Sequence, residues 1–518
     1  MSYFTSKLNA RNALKIGALK HFVCLASSMA LLSSCTMIPD LSPFNPFMPA
    51  HYPQEEMAQE AADKTAQETG PKTPEETLAQ SKASARENLL HAISWQRYYQ
   101  DKTLKTLIQT GLANNSDLKI AAYRISEARA LYGIENSALI PDVNAGGSFI
   151  REKSNQSNNA AGAQSFIYQN YAVNLGITDY EIDFFGRIRS LKDAALNEYL
   201  STISAHKTAH ITLISEIAAA YTSLRANQAL LNLAESTFDT RKESFSIIKK
   251  RADAGISTDL ELAQAQTLLL QARVDRFKHI DAIAKDKNAL RLLLGSAEAL
   301  PDLAPLKGKS NNALLDVMTG VPVGLPSELL TSRPDIIAAE HSLRSANADI
   351  GAARAAFFPR ISLTGTGGYA SADISSLFES GAQVWRFFPQ ISVPIFTGGR
   401  LQKSLDLAEI RKDIAIIQYE KTIQTAFRDV SDALSTVKTY DERIGAQQDL
   451  VKAAARRATL SQKRYDAGIE NYLTVLDAKR ALYEAQQALI VQRGQEISGK
   501  IALYKAVGGG ITVLSDKR

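Results

Sequence analysis

Two long proline-free runs with heptad spacing constrain the fold of this chain more than any other feature. They extend from Arg187 to Arg251 and from Arg400 to Arg464. Every seventh residue forms a mainly apolar stripe, at Leu196, Ile203, His210, Ile217, Leu224, Leu231, Phe238 and Phe245 and again at Ile416, Ile423, Val430, Val437, Ile444, Val451, Ala458 and Tyr465. Such stripes predict helices that supercoil left-handedly around partner helices. At ~1.5 Å per residue each helix would be on the order of 100 Å long, which suits a structure that crosses a wide gap.

The two runs belong to an internal duplication of most of the chain. Residues that correspond between the two copies lie at a constant separation along the chain. This separation is five residues shorter for pairs within and after the long runs than for pairs before them. The pairs are Asp117 and Asp335, Pro141 and Pro359, Arg187 and Arg400, Gly255 and Gly468, and Gly295 and Gly508. Each copy reads helix, strand, loop, strand, long helix, tip turn and return helix, which is typical of a repeated structural unit.

Segments of alternating apolar and small polar residues lie between the helices of each copy. They run from Val143 to Phe149, from Tyr171 to Ile177, from Ile361 to Tyr369 and from Gln390 to Ile395, with a polar loop from Ser154 to Gln164. This period predicts four membrane-type β-strands, with a bulge or the end of the membrane-facing zone after Thr178, where the phase slips. Closed barrels begin at about eight strands, and unpaired backbone is costly in lipid. The strands of one chain must therefore close across subunits.

The helix lengths predict a wall of uniform height. The helix ending near Leu139 and the return helix ending at Gly295 would have ~24 and ~37 residues, and end to end they match the long helix. Twelve such columns around an axis would form a tube with a polar interior. The sequence thus predicts an internally duplicated α+β membrane protein with four membrane strands per chain and coiled-coil-like helices in an α-helical barrel.

The first residues have the pattern of a bacterial lipoprotein signal. Basic residues precede an apolar segment, Phe22 to Leu32, that is too short to span a membrane. It leads into the sequence LSSC, which resembles the lipobox in which the cysteine, here Cys35, receives a diacylglycerol and an acyl chain. Cys24 would leave with the signal, so the mature chain could form no disulfide. The lipobox resemblance also implies sorting to the outer membrane, because Thr36 rather than Asp follows the cysteine. The alternative is a plain signal peptide with an incidental cysteine.

These patterns divide the chain into six regions. The signal covers residues 1–34, the lipidated N-terminus and an acidic, proline-rich tether 35–90, the first repeat 91–300, a connector 301–326, the second repeat 327–510 and a C-terminal tail 511–518. The tether has a composition that cannot bury a core, and its role is open.

Composition and motifs exclude several function classes. The net charge is only +5, which excludes a strongly basic nucleic-acid footprint. His206 and His210 stand four residues apart, but no third metal ligand has a useful spacing, so histidines that are solvated or face the seam are the better explanation. The glycine-rich stretch 365–368 lies in an alternating strand and lacks a following Lys-Ser/Thr, so it does not predict a phosphate loop. We find no catalytic motif and expect no enzyme activity, no metal and no cofactor besides the lipid on Cys35.

Five stretches of the chain carry a family resemblance. They are Trp95 to Asp117, YEIDFFGR at 180–187, PIFTGGR at 394–400, KRYDAGIENYLTVLDA at 463–478 and LYKAVG at 503–508. In this order they resemble the outer-membrane factor (TolC-like) family of tripartite efflux systems, in the lipoprotein branch typified by OprM. The resemblance implies a homotrimer with a twelve-stranded β-barrel in the outer membrane over a twelve-helix periplasmic tunnel. It also implies two partners, a periplasmic adaptor protein and a proton-driven inner-membrane pump.

The resemblance further implies two site regions at the periplasmic tips of the long helices. The adaptor contacts would be Ala254, Gly255, Ile256, Ala467, Gly468 and Ile469. The periplasmic gate would comprise Glu470, Asp477, Arg464 and Tyr465. Acidic residues crowded at a three-fold axis repel one another and need a cationic or hydrogen-bonding partner to stay together. The alternatives are a plain tight turn at each glycine and solvated charges at a helix end.

We therefore predict a trimeric outer-membrane channel lipoprotein, the exit duct of a tripartite pump for small molecules such as drugs. It would be lipid-anchored, span the outer membrane and extend into the periplasm. A trimeric adhesin or structural coiled coil is the alternative from another class, but it predicts neither amphipathic strands nor a duplication. Metal-ion efflux and protein secretion stay open within the duct class, because the pump generally selects the substrate.

Overall fold

The computed structural model describes residues 36–41, 94–156, 164–295 and 332–509. The predicted signal peptide, Cys35, most of the tether, the whole connector and the C-terminal tail lie outside these residues. The helices are α1 (Trp95–Tyr98), α2 (Lys102–Asn114), α3 (Ser116–Ser137), α4 (Arg187–Asp253), α5 (Asp259–Leu294), α6 (Pro334–Ala355), α7 (Arg400–Asp466) and α8 (Tyr472–Ala506). The strands are β1 (Val143–Gln156), β2 (Gln164–Glu181), β3 (Arg360–Ser371) and β4 (Gln383–Ser392). The long helices α4 and α7 each have 67 residues, so the duplication extends to element lengths.

The heptad positions of α4 and α7 are packing positions. Each of the residues named in the two stripes is buried or half-buried. Ile217 is fully buried in the first copy, and Val430 is 1% exposed in the second. The stripe is therefore a seam, as predicted. None of the described helices carries an apolar stretch that could cross a membrane.

The four strands form one antiparallel sheet in the order β1-β2-β3-β4. Val143 pairs with Ile177 across β1 and β2, and Arg360 pairs with Ser392 across β3 and β4. The hairpins of the two copies join where β2 pairs with β3, from Tyr171 opposite Ser371 onward. Within the described residues β1 and β4 are thus the two edges of the sheet.

A β-bulge interrupts β2 where the sequence phase slips. The register shifts between Ile177 and Tyr180, and Asp179 adopts a φ of 53°. The Asp179 backbone N–H donates to Thr364 Oγ1 at 3.1 Å, so a threonine of β3 replaces the lost ladder partner. The prediction of a bulge after Thr178 is confirmed.

Three predicted boundaries are wrong by a few residues. β4 ends at Ser392, because Pro394 has no N–H to donate and Gly398 and Gly399 turn the chain with positive φ. Ile395, expected in this strand, is 95% exposed outside it. The expected loop from 154 to 164 is shorter, since the backbone ladder continues to Gln156 opposite Gln164 beyond the apolar alternation. Helix α3 ends at Ser137 rather than near Leu139.

The described chain divides into two compact units. The first contains residues 36–41, 126–201 and 339–418, and with them the sheet. At its junction of strands and helices, Glu181 accepts hydrogen bonds from the Arg187 guanidinium at 2.8 Å and forms an ion pair with Arg360 at 2.8 Å. Arg187, the first residue of α4, therefore lies at the sheet end of its helix.

The second unit contains the main apolar core. Three tyrosines lie at its centre, with the rings of Tyr98 and Tyr504 stacked at 5.0 Å and Tyr99 packed edge-on against both. The Tyr98 hydroxyl donates to the Lys500 carbonyl at 2.7 Å. Side chains of α2, α4, α5, α7 and α8 surround the cluster, so this core joins helices from both copies.

Candidate functional site at the helix tips

The two helix reversals have the same backbone geometry. Gly255 follows α4 with a φ of 73°, and Gly468 follows α7 with a φ of 72°. In the first turn the Ile256 N–H donates to the Arg251 carbonyl at 2.8 Å, and in the second the Ile469 N–H donates to the Arg464 carbonyl at 2.9 Å. This is the Schellman arrangement, in which a left-handed glycine lets the chain close its last helical carbonyls.

The predicted adaptor-contact residues are all exposed. This holds for Ala254, Gly255, Ile256, Ala467, Gly468 and Ile469. The two isoleucines are 67% and 64% exposed, and the first turn of the following helices adds Leu260 at 67% and Leu473 at 46%. Apolar side chains presented together at a tip are typical of a surface that contacts a partner.

The predicted gate carboxylates lie beside different arginines. Arg464 Nε is 3.3 Å from Glu470 Oε1, so the structure brings together two residues that the sequence predicted as partners. Asp477 instead pairs with Arg480 at 3.2 Å, an arginine that the sequence analysis missed. Its position three residues further along α8 could have revealed it, because such spacing places side chains on one helix face. In both pairs the arginine is exposed and the carboxylate is half-buried, and Glu470 Oε2 is buried without a hydrogen-bond partner among the described residues.

Tyr465 binds a residue that the sequence did not suggest. Its hydroxyl accepts a hydrogen bond from Arg251 Nη1 at 2.7 Å, and the same guanidinium lies 5.4 Å from the ring centroid. The ring also packs against Tyr472 at 5.2 Å. Burial raises the pKa of the Tyr472 hydroxyl. Arg251 ends α4 and Tyr465 ends α7, so this contact joins the last turns of the two long helices.

A small apolar cluster lies behind these contacts. Its buried members are Ile248, Ala265, Tyr472, Val475 and Leu476. They come from α4, α5 and α8, and Tyr465 of α7 packs against them. All four long and return helices therefore meet in one cluster near the tip.

A second polar contact joins three helices further from the tip. Arg241 of α4 donates from Nη1 to the Leu268 carbonyl of α5 at 2.8 Å, and its guanidinium lies 4.9 Å from the Tyr483 ring of α8. The Tyr483 hydroxyl donates to Asp275 Oδ2 of α5 at 3.2 Å. Burial, with Asp275 nearby, raises the pKa of Tyr483 to about 12. We call Arg241, Asp275 and Tyr483 the three-helix pin.

A shallow groove separates the return helices between the tip and the pin. It has a volume of about 160 Å³ and is lined by Gln264, Thr267, Leu268, Leu473, Leu476, Asp477 and Arg480. Its floor is apolar and one edge is charged. Asp477, predicted for the gate, thus lies on a groove between α5 and α8.

Among the described residues, no group of three or more His, Cys, Asp or Glu side chains is arranged to hold a metal ion. His206 and His210 lie half-buried on α4, and burial lowers the pKa of both. The lowered pKa favours the neutral form of both imidazoles. Their placement agrees with a packing role.

Comparison with known proteins decides the family. The family model described as outer membrane efflux protein matches residues 107–296 and 325–509, which together form most of the chain. The chain belongs to the outer membrane efflux protein family. The first matched segment lies within the first predicted copy of the repeat, and the second overlaps the second copy.

Relatives of this outer membrane efflux protein cover nearly its whole length. It is 40% identical over 491 residues to the antibiotic efflux pump outer membrane protein ArpC of Pseudomonas putida, covering 95% of this chain and 96% of the relative. It is 41% identical over 486 residues to the solvent efflux pump outer membrane protein SrpC of the same species, covering 94% and 97%. The solved open state of the Neisseria gonorrhoeae MtrE outer membrane channel matches with a TM-score of 0.75 and 32% identity, covering 92% and 98%. The protein is therefore an outer-membrane exit duct for efflux.

Proposed function

We propose that this outer membrane efflux protein works as a homotrimer whose twelve strands close a β-barrel and whose helices form a periplasmic tunnel. The observation that carries the proposal is the open sheet, in which β1 and β4 each have one unpaired edge among the described strands. Open edges are not tolerated in lipid, so each β4 must pair with the β1 of a neighbour. Three copies give the twelve strands that the family resemblance implies.

An exposed apolar face on α7 supports the same assembly. Leu407, Ile410, Ile414 and Ile417 recur at helical spacing and are 47%, 55%, 61% and 64% exposed. In the same unit, Leu131 and Ile134 of α3 are 54% and 62% exposed. Helices of a soluble compartment do not leave such stripes in water, and a second copy of the chain would cover them.

The lipid anchor is a further part of the proposal. Cys35 would carry a diacylglycerol and an acyl chain, and dual acylation is enough for stable anchoring. Mass spectrometry of the mature N-terminal peptide from outer-membrane fractions tests it. An unmodified N-terminus, or cleavage at another residue, would exclude the lipid.

The partners would be a periplasmic adaptor protein and a proton-driven inner-membrane pump, and the cargo small molecules such as antibiotics and solvents. ArpC and SrpC are named for these two cargo classes, and the exposed apolar tips support an adaptor contact. Deletion of the gene should lower the inhibitory concentration of several unrelated antibiotics, and the wild-type gene should restore it. Unchanged susceptibility to antibiotics and solvents would reject this cargo class.

We also propose that Glu470 and Asp477, together with Arg464, Arg480 and Tyr465, form the periplasmic gate. Like charges from three copies would meet near the axis, and the arginines would hold them together until an adaptor binds. The combined change Glu470→Ala and Asp477→Ala should raise the single-channel conductance of trimers in a planar bilayer. A conductance equal to that of the wild-type protein would show that these carboxylates do not close the channel.

A further inference from the structure

The short segment directly after Cys35 is held on the first unit. Residues 36–41 are described, and Met37, Ile38 and Pro39 are half-buried. The Asn347 side chain of α6 donates from Nδ2 to the Pro39 carbonyl at 2.7 Å. Within the segment, the Ile38 N–H donates to Thr36 Oγ1 at 3.3 Å, which bends the chain just before this contact.

Gly351 leaves room for the segment to pass. A Cβ at this position would lie 2.6 Å from Ile38 Cγ1 and 2.9 Å from the Ile38 backbone nitrogen. It would also lie 2.7 Å from Ser190 Oγ. Ser190 is fully buried and its hydroxyl donates to the Gly186 carbonyl at 2.6 Å, so it cannot move aside easily. Any larger residue at 351 therefore displaces Ile38.

Asn347 supplies a polar contact to the same segment. It lies four residues before Gly351, which places both on one face of α6. It is only 3% exposed, and its Oδ1 has no hydrogen-bond partner among the described residues. A buried amide is costly without a partner, and the Pro39 carbonyl supplies one. An apolar residue would suit the site better if the segment were absent.

We propose that Asn347 and Gly351 form a docking groove for the segment after the acylated cysteine, and that this groove holds the lipid anchor next to the strand ends. The proposal rests on the proposed lipidation of Cys35. Ile38 is the third residue after Cys35, so the lipid would start within about 11 Å of the groove. Ser190 lies in the first turn of α4, which follows β2, and Gly351 lies in the last turns of α6, which precedes β3. The groove would thereby hold the lipid chains close to the ends of the membrane strands.

A spin label on the segment tests the docking. In the mature chain an added cysteine is the only free thiol, because Cys24 leaves with the signal and Cys35 carries the lipid. A nitroxide at Leu41→Cys, an exposed position, should show an immobilised spectrum in purified wild-type trimers. In Gly351→Ala and in Asn347→Leu most of the immobilised component should be lost.

The control is Gly133→Ala. It also replaces a helical glycine in the first unit, but a Cβ there meets nothing within 4 Å, so the label should stay immobilised. Asn347→Leu keeps the test valid if Gly351→Ala does not assemble. A label that is mobile in the wild-type protein, or that stays immobilised in both groove variants, would overturn the proposal.

The lipid and the duct are tested separately. With Cys35→Ser, combined with Cys24→Ser because the signal is then not removed before residue 35, the label should remain immobilised, because the groove rather than the lipid holds the segment. A mobile label would contradict the docking groove. Failure of the wild-type gene to restore compound resistance would reject the proposed function whatever the label shows. If Gly351→Ala trimers support compound resistance while their segment is mobile, the result supports both the docking groove and the proposed function.

Discussion

At the scale of single residues, each tip turn depends on one glycine with a positive φ. An alanine in the left-handed region costs roughly 1–2 kcal/mol, so Gly255→Ala and Gly468→Ala should open their turns locally. We expect the Ile256 and Ile469 amides, which close the turns, to exchange hydrogen roughly tenfold faster in the variants. Hydrogen exchange followed by mass spectrometry measures this.

Gly445→Ala is the matched control for these substitutions. Gly445 lies within α7, and a Cβ there meets nothing within 4 Å. Alanine favours a helix by roughly 0.5–1 kcal/mol over glycine, so exchange around 445 should slow or stay unchanged. Equal exchange in the wild-type and tip variants would show that the turns do not need the left-handed glycine.

The proposed periplasmic gate gives a prediction for the contact between Arg251 and Tyr465. Tyr465→Phe keeps the ring but removes the acceptor of the 2.7 Å hydrogen bond, and Arg251→Met removes the donor. A partly solvated hydrogen bond of ~1 kcal/mol would change the ratio of open to closed tips by roughly fivefold. We expect a higher open fraction in planar-bilayer recordings of either variant.

Tyr440→Phe serves as the control for this contact. Tyr440 lies in the same helix, and the Arg443 guanidinium is 4.9 Å from its ring, but it is more than twenty residues before the tip. Removal of the Tyr440 hydroxyl should leave the open fraction of the channel unchanged. An equal rise for Tyr440→Phe and Tyr465→Phe would mean that α7 is destabilised in general and that the tip contact is not specific.

At the scale of secondary structure elements, the three-helix pin should keep the return helices together above the tip. Arg241 is 8% exposed, and a hydrogen bond from a charged group contributes ~1.5–3 kcal/mol. Arg241→Met should therefore speed hydrogen exchange in the first turns of α5 and α8. Arg276→Met is the control, because Arg276 joins only α4 and α5, through a half-buried pair with Glu235 at 3.5 Å. If Arg241→Met and Arg276→Met speed hydrogen exchange equally, the three-helix pin does not hold the return helices together more than the Arg276 pair does.

The elements were predictable from the sequence because their signals are local and periodic. Heptads, alternating strands, the phase slip at Thr178 and the glycine turns each reflect a few neighbouring residues. Strand ends were less predictable, since β1 and β2 continue pairing through backbone hydrogen bonds after the apolar alternation stops. The contact of Arg251 with Tyr465 joins residues more than two hundred positions apart. No spacing rule reveals such a contact before the packing of both hairpins is known.

At the scale of the whole molecule, the duplication explains why the described sheet has its two edges on strands from different copies. Each copy contributes one hairpin to the sheet, and joining β2 to β3 consumes one edge from each copy. The remaining edges, on β1 and β4, also come from different copies. The β4 strand of one chain can therefore pair with the β1 strand of the next, in a head-to-tail ring. This is a heterologous contact, which closes only at a fixed number of subunits.

A substitution in the exposed apolar stripe on α7 tests whether this ring forms. Ile414 is 61% exposed, and burying such a side chain at a subunit contact would contribute roughly 1.5–3 kcal/mol. Ile414→Asp places an unpaired charge there and should convert trimers to monomers in detergent, as measured by native mass spectrometry. Asp413→Lys is the control, since Asp413 is already exposed on the adjacent position of the same helix and its charge reversal should leave trimers intact. If Ile414→Asp trimers are as abundant as those of the wild-type protein, the stripe does not face a neighbouring subunit, and the subunit contact lies on another helix face.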